Sequence, residues 1–303
     1  MNDSDPTWIE IDQIILHLSR NHALKKLKLD FGILCFGKLY ALPLSVFSLN
    51  HLTDLYLDDC DITFKPIFNG FRSLTNLTLK RIGITRAALL HLLSNCPSIK
   101  SLCLMLEEYA DCAENPIVDL FKFLPLVEHL TTWGYINTLD VNYAQEEFPT
   151  SLVHLKYFCV EDLGFGDEYG LAFLGVLTKC SPNLEKIKLW VEAYDELEFD
   201  EGKEYSVILE KYSDVWLEHL NELEILYFGY NELEMMFFDF ILARSPNLKK
   251  VVLYSPRVYD RDEELEMLKT LFSAPRPPNA SPVEIVLKTQ RRFEVFRGFD
   301  DED

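Results

Sequence analysis

LTDLYL at 52–57 and LTNLTL at 74–79 decide the reading of this chain: both follow the pattern apolar-x-x-apolar-x-apolar, and they start 22 residues apart. The pattern also starts at Leu24, Ile99, Val127, Leu152, Leu184, Leu223 and Leu248, giving nine copies at intervals of 28, 22, 25, 28, 25, 32, 39 and 25 residues. A single strand of this kind cannot bury its apolar face. Parallel strands stacked side by side bury it in a continuous core and leave a long surface for binding. Six of the eight intervals fall within the period of roughly 20–29 residues that marks leucine-rich repeats. The expected fold is therefore an α/β leucine-rich-repeat solenoid, a horseshoe with a parallel β-sheet on its concave face and helical or irregular returns.

Outward from these strands, TRAALLHLLSN (85–95), DEYGLAFLGVLTK (167–179) and ELEMMFFDFILAR (232–244) have the length and apolar content of return helices. Three returns end in one device: Cys96-Pro97-Ser98-Ile99, Ser181-Pro182-Asn183-Leu184 and Ser245-Pro246-Asn247-Leu248. Proline biases the residue before it away from helix, so each copy ends a helix and launches a strand at a fixed offset. Residues 1–22 read as an N-terminal capping helix, with Thr7 and Glu10 spaced as a capping box and Trp8, Ile11, Ile15 and Leu18 on one face. Repeats then span 23–215, with an insertion at 191–222 that carries 11 acidic residues and two lysines and holds a helix candidate, SVILEKYSDVWLEHL. A helix around EELEMLKTLF and a strand VEIVL continue the array to 288, and 289–303 read as a frayed or disordered tail.

Composition narrows the function. Lys and Arg number 29 against 49 Asp and Glu, a net charge of -20, which disfavours nucleic acid and anionic membranes as partners. Seven cysteines without a C-x-x-C pair argue against a disulfide framework or a zinc site. No secretory signal pattern opens the sequence and no run of 18 apolar residues occurs, so the expected location is the cytoplasm, the nucleus or both. GFGDEYG (164–170) lacks the spacing of a dinucleotide loop and reads as a turn before a return helix. His129 and His154 occupy matching positions in successive copies, but no cysteine or carboxylate stands in that column to complete a metal site. The reading is a protein that is not an enzyme and needs no cofactor or metal.

Side chains alternate along a strand, so positions three, five and seven of each copy point away from the core. In that frame the three columns hold seven lysines and three aspartates, a local balance of +4 on an acidic chain. Position seven adds Trp133, Phe158 and Trp190 in succession, with Tyr254 further on. Aromatic rings beside cations suit an acidic or phosphorylated protein target, with Lys156, Lys186, Lys188 and Trp190 at the centre and Trp133, Phe158 and Tyr254 around them. Two structural readings compete: these side chains pair with one another across strands, or the acidic insertion folds back over them.

The combination of segments resembles a known family, the plant F-box/FBD/LRR-repeat proteins. IDQIILHLSRN (11–21) followed by LKKLKLDF is similar to the segment after their F-box, and LPLSVFSLNHLTDLYLDDC (42–60) and FKPIFNGFRSLTNLTLKRIGIT (64–85) are similar to their first repeats. YSDVWLEHLNELEIL, EMMFFDFILARSPNLKKVVLY and EELEMLKTLFSAPRPPNASPVEIVL resemble the FBD region, here about 216–288. The resemblance implies the target-recognising part of a cullin-based ubiquitin-ligase receptor, in which an F-box docks the adaptor and the repeats select the target. Only 23 residues precede the first pattern, without the L-P-x-x-hydrophobic opening of an F-box, so adaptor docking is expected only with an F-box upstream. The alternative is an adaptor-free repeat protein that shields or competes for the same targets.

Overall fold

The computed structural model describes residues 6–19, 24–32, 39–62, 70–106, 120–133, 152–164, 168–191, 205–258 and 260–289. The chain divides into two compact units, Met1–Tyr143 and Ala144–Asp303.

In the N-terminal unit, α1 (Pro6–Ser19) precedes β1 (Lys26–Asp30), β2 (Tyr40–Ala41) and a short 3-10 helix at Leu44–Ser48. There follow β3 (Asp54–Asp58), β4 (Cys60–Ile62), β5 (Asn76–Lys80), β6 (Gly83–Ile84), α2 (Arg86–Ser94), β7 (Ser101–Met105) and β8 (His129–Trp133). The main sheet runs β1-β3-β5-β7-β8, all parallel, with Lys26, Asp54, Asn76, Ser101 and His129 in register. β2, β4 and β6 form a second, smaller parallel sheet.

The C-terminal unit contains β9 (Tyr157–Leu163), α3 (Glu168–Cys180), β10 (Lys186–Val191), α4 (Tyr205–Glu210) and β11 (Glu222–Leu226). It continues with α5 (Glu232–Arg244), β12 (Lys250–Ser255), α6 (Arg261–Ser273) and β13 (Glu284–Thr289). Its parallel sheet runs β9-β10-β11-β12-β13, with Tyr157, Lys186, Glu222, Lys250 and Glu284 in register. Each unit is thus a leucine-rich-repeat array of parallel strands and variable returns.

The arrays are built on the alternation of the repeat. Leu55 and Leu57, Leu77 and Leu79, and Leu102 and Leu104 are buried along the N-terminal sheet. Ile187 and Leu189, Leu223 and Ile225, and Val251 and Leu253 do the same in the C-terminal one. Each such side chain contributes roughly 1.5–3 kcal/mol on burial, and the contribution is available only when the neighbouring strand is in place.

A tight turn starts eight of the ten repeats. The first apolar residue donates its N–H to the carbonyl three residues earlier in eight copies: Leu52 to Leu49, Leu74 to Phe71, Ile99 to Cys96, Val127 to Leu124, Leu155 to Leu152, Leu184 to Ser181, Leu220 to Leu217 and Leu248 to Ser245. The proline-containing device now has a mechanism. Ser98 Oγ donates to Arg72 O at 2.8 Å, and Asn183 Nδ2 and Asn247 Nδ2 each donate at 2.7 Å to Val153 O and Glu218 O, so each turn clamps the one before it.

These turns correct the reading of two repeats. Leu152 and Leu155 close a turn, so that repeat begins at Leu155; by the same test the next long repeat begins at Leu220, not Leu223. Strand register agrees, placing Ile187 opposite Phe158 and opposite Leu223. A third sign is the left-handed backbone at Asp59, Arg81, Asp162 and Tyr227, with φ of 56°, 46°, 59° and 59°. Each lies seven residues after Leu52, Leu74, Leu155 or Leu220, where the chain turns off the sheet. The intervals of the corrected repeats, with the last beginning at Pro282, are 28, 22, 25, 28, 28, 29, 36, 28 and 34. Seven of the nine fall within the leucine-rich-repeat period.

The helices at 85–95, 167–179 and 232–244 form as α2, α3 and α5, and EELEMLKTLF and VEIVL become α6 and β13. Thr85 caps α2 by accepting from Ala88 N. The capping-box reading of Thr7 and Glu10 fails because α1 already begins at Pro6, a residue suited to the first helical position. SVILEKYSDVWLEHL is helical only to Glu210, since Tyr212, Val215, Leu217 and Leu220 are buried through turns. In GFGDEYG, residues 165–167 lie outside the described residues. At Gly170 the reason for glycine is steric, because a Cβ there would sit 2.1 Å from Gly164 O.

The loop into α5 is held by a buried carboxylate. Asn231 Oδ1 accepts from Glu234 N at 2.9 Å and Glu234 Oε2 accepts from Asn231 N at 3.2 Å, a reciprocal capping box. The N–H groups of Gly229 and Tyr230 also donate to Glu234, yet burial outweighs them and pushes its carboxyl up to about 7.

Candidate functional site

The corrected repeats change which side chains face outward from the sheet. Phe158 is 0 % exposed and packs in the core with its ring centre 5.8 Å from that of Phe173, the two rings tilted, so it is not part of an outer aromatic ladder. The frame slipped by three residues there, and the outward positions of β9 are Tyr157, Cys159 and Glu161. Lys156 lies at the start of the strand, exposed and 3.6 Å from Glu185. On β11 the same slip assigned Ile225, Tyr227 and Gly229 outward; the outward residues are Glu222, Glu224 and Leu226, and Ile225 is core.

With this frame the expected positive strip disappears. The C-terminal sheet presents Lys186, Lys188, Lys250 and Lys288 against Glu161, Glu222, Glu224 and Glu284, four of each sign. Lys186 lies 3.4 Å from Glu222 and 3.3 Å from Glu224, and Lys188 lies 3.6 Å from Glu224. Burial works to lower the Lys186 amine, but the Glu224 and Glu222 carboxylates outweigh it and the group stays firmly charged. Cross-strand pairing therefore accounts for these lysines, as one of the competing readings held.

What the sheet leaves available is aromatic. Trp190, Leu226 and Tyr254 occupy the same row on β10, β11 and β12, with both rings half-buried and Leu226 as the floor between them. Lys188 Nζ lies 6.0 Å from the Trp190 ring centre. Lys288 Nζ lies 5.0 Å from the Tyr254 ring centre and donates to Tyr254 Oη at 3.2 Å. Each ring thus has a cation over it at cation–π distance. Neither Glu222 nor Glu224 was read as outward in the sequence. The turn that starts their repeat, Leu217–Leu220, has no proline to mark it.

The outward face of the N-terminal unit follows the same logic. Three lysines, Lys26, Lys28 and Lys80, stand against Asp30, Asp54 and Asp58. Tyr56 lies between Lys28 and Lys80, 4.7 and 5.7 Å from its ring centre, and donates to Asp58 Oδ2 at 2.9 Å. Arg81 reaches Asp58 at 2.6 Å and grips both oxygens of Asp59 at 2.8 and 3.0 Å. Burial raises the Asp58 carboxyl in spite of Tyr56 and Arg81, which favour its charged form. Asp54 is held down by the Thr53 hydroxyl, with Asn76 and Lys26 assisting against burial. Beyond this cluster the row of Thr78, Cys103 and Thr131 is small, and Trp133 ends the face on β8, half-buried.

Among the described residues no group of three or more His, Cys, Asp or Glu could hold a metal ion. His129 is outward on β8, whereas His154 lies in the turn before Leu155. Cys60, Cys96 and Cys180 are buried thiols, pushed up by burial to about 12, 11 and 11, so they are poor nucleophiles. No described helix is long and apolar enough to cross a membrane.

Residues 14–116 match the family model for the leucine-rich repeats of the FBD-associated F-box protein At5g56370. That stretch contains β1, β3, β5 and β7. No curated protein matches the chain. Among solved structures, the chain is similar to internalin C2 from Listeria monocytogenes, at 14% identity over 93% of each chain with a TM-score of 0.40. The leucine-rich repeat-containing protein LegL7 from Legionella pneumophila aligns at 13% identity over 88% of this chain and 96% of its own, TM-score 0.36. The internalin inlF from Listeria monocytogenes aligns at 13% identity over 93% and 90%, TM-score 0.33.

Proposed function

We propose that this chain recognises a protein target through the outward faces of its sheets, as the substrate-binding part of an F-box ubiquitin-ligase receptor does in ubiquitin-dependent degradation. The observation that carries the recognition reading is the Trp190–Leu226–Tyr254 row, flanked by lysines whose charge is already balanced within the sheet. Such a face gives a partner ring area to bury without stranding an unpaired ion, and rings of this kind dominate binding energy at interfaces. The ubiquitin reading is supported by the family match over residues 14–116. The adaptor is engaged where an F-box accompanies the repeats, and the working location is the cytoplasm or nucleus.

Trp190, Tyr254, Lys186 and Lys188 form the contact surface of the C-terminal unit, and Trp133 that of the N-terminal unit. Lys156 belongs to the rim of its sheet, and Phe158 acts only through packing. The test is quantitative affinity capture with the native chain and with a Trp190→Ala/Tyr254→Ala variant whose folding is confirmed by circular dichroism. The proposal expects a defined set of proteins, including any ubiquitylated species, to be retained by the native chain and lost with the variant. Equal retention by both would refute it.

A further inference from the structure

Away from the sheet face, the C-terminal unit has a second surface with the composition of an interface, on the edge where its repeats begin. Val215-Trp216-Leu217 leads into the turn ahead of β11. With Val215 and Leu217 buried on either side, Trp216 is turned outward, 54 % exposed and in no ring contact or hydrogen bond with any described residue. The next two turns each carry an arginine. Leu217 N–H donates at 2.9 Å to the carbonyl of Arg244, the last residue of α5, and Ser281 N–H donates at 2.8 Å to Pro246 O. Arg276 Nη2 in turn donates to Ser281 O at 3.0 Å. These bonds bring residues 216, 244 and 276 to one edge of three successive repeats. Both guanidinium groups are half-buried and held in place: Arg244 Nη1 donates to Phe240 O at 3.3 Å, and the group lies 4.2 Å from the Phe240 ring centre. Neither is neutralised. Among the described residues no carboxylate lies within ion-pairing distance of Arg244, Arg276 or the exposed Lys249 just before β12, and Glu218 and Glu284, exposed on the same edge, do not reach them. Burial accordingly lowers the pKa of both arginines, whereas in Arg81, also half-buried, Asp59 and Asp58 outweigh burial and raise it. Lys186 and Lys188 of the sheet face, by contrast, are already paired.

We infer that this edge is a second interaction surface, which docks an acidic segment of a partner protein: aspartate or glutamate side chains pair with Arg244 and Arg276, and an apolar side chain beside them covers Trp216. The planar guanidinium fork matches a carboxylate through two parallel hydrogen bonds, and a desolvated arginine without a counter-ion gains most from receiving one. Tryptophan and arginine are the residue types that carry most binding energy at interfaces. Spacing favours several carboxylates on one segment. Neighbouring strands lie about 4.8 Å apart and same-side residues of an extended chain about 6.8 Å apart, so side chains of a single segment laid across the turns meet cations on successive repeats.

The experiment selects binders to the immobilised full chain from a phage-displayed library of random peptides and measures the affinity of the enriched peptides by fluorescence anisotropy. The variants are Trp216→Ala, Arg244→Gln/Arg276→Gln and Trp190→Ala/Tyr254→Ala, each checked for folding by circular dichroism. The expected result is a set of peptides with Asp or Glu next to an aromatic or aliphatic residue. Their affinity falls at least about tenfold with Trp216→Ala and with the arginine pair, falls with added salt, and is unchanged with Trp190→Ala/Tyr254→Ala. Replacing their Asp and Glu by Asn and Gln abolishes binding. Enrichment of no peptide, or of peptides without acidic residues, would overturn the inference. So would acidic peptides that bind the Trp216 and arginine variants as tightly as the native chain; if these lose affinity only with Trp190→Ala/Tyr254→Ala, their site is the sheet face, and the proposed function stands while the edge surface falls. A dimer of the native chain that Trp216→Ala dissolves would place a second copy on the edge and overturn the inference as well. Should the arginine pair fail to fold, Trp216→Ala and Arg276→Gln alone decide.

Discussion

Glu234 offers the sharpest quantitative test. It is 1 % exposed, and its carboxyl is raised from the ordinary 4.5 to about 7 by burial, despite the N–H groups of Gly229, Asn231 and Tyr230. The folded chain thus holds the proton more tightly than the unfolded chain. Its stabilising contribution is whole below about pH 4.5, declines by up to about 1.4 kcal/mol per pH unit up to pH 7, and is gone above it. The loss by pH 8 is about 3 kcal/mol. Glu234→Gln keeps the shape and an oxygen that accepts from the loop but removes the ionisation. Urea unfolding of both proteins at pH 5, 6, 7 and 8 should show the variant gaining about 3 kcal/mol relative to the native chain between pH 5 and 8. A difference that stays flat over this range would show that the three N–H groups keep Glu234 ionised, and the reasoning from burial would be wrong.

Three further outcomes test the packing. Phe158→Ala should cost about 3–5 kcal/mol in denaturant unfolding because the ring is core, while Trp133→Ala should cost about 1 kcal/mol or less; similar values would reject the corrected repeat frame. Gly175→Ala should destabilise by about 1–2 kcal/mol, even though alanine favours helix, because a Cβ there lies 2.3 Å from the Tyr212 ring; a gain in Tm would show that the ring yields freely. Asn183→Ala and Asn247→Ala should each cost about 1 kcal/mol and add when combined, since their clamps serve different turns; strong coupling in a double-mutant cycle would argue against separate clamps.

The repeat nature of the chain was legible in its leucines, and the return helices in their length and apolar content. The frame of two repeats was not. The turn that starts a repeat and the strand that follows both use an apolar pair three residues apart. Leu152-Val-His-Leu155 therefore imitated a strand and Leu223-Glu-Ile-Leu226 continued one. Where proline marks the turn, at 97, 182 and 246, the frame was right. Where Val153-His154 or Glu218-His219 forms the turn without proline, it slipped. A shift of three exchanges the two faces of a strand, which is how a core phenylalanine was read as a surface anchor and two outward glutamates were missed. Trp133, Trp190, Tyr254, Lys186 and Lys188 lay in correctly framed copies, so their outward orientation was readable. Their neutralisation by Glu222 and Glu224 depends on register between strands, which no local pattern carries.

The turn clamps separate two jobs that a sheet usually combines. Three strands, β7, β10 and β12, are positioned where they begin by an Asn or Ser side chain gripping the turn before, so their register does not rest on the return alone. Its length is then limited only by the entropy of closing a loop, which rises by about 0.6 kcal/mol for each doubling. Across the 36-residue repeat, which carries the acidic insertion, the N–H groups of Asn221 and Glu222 donate to Glu185 O as β11 begins, and Lys186, Glu222 and Lys250 stay level. The back of the molecule is free to diversify at almost no thermodynamic penalty, and the face that meets a partner keeps its alignment.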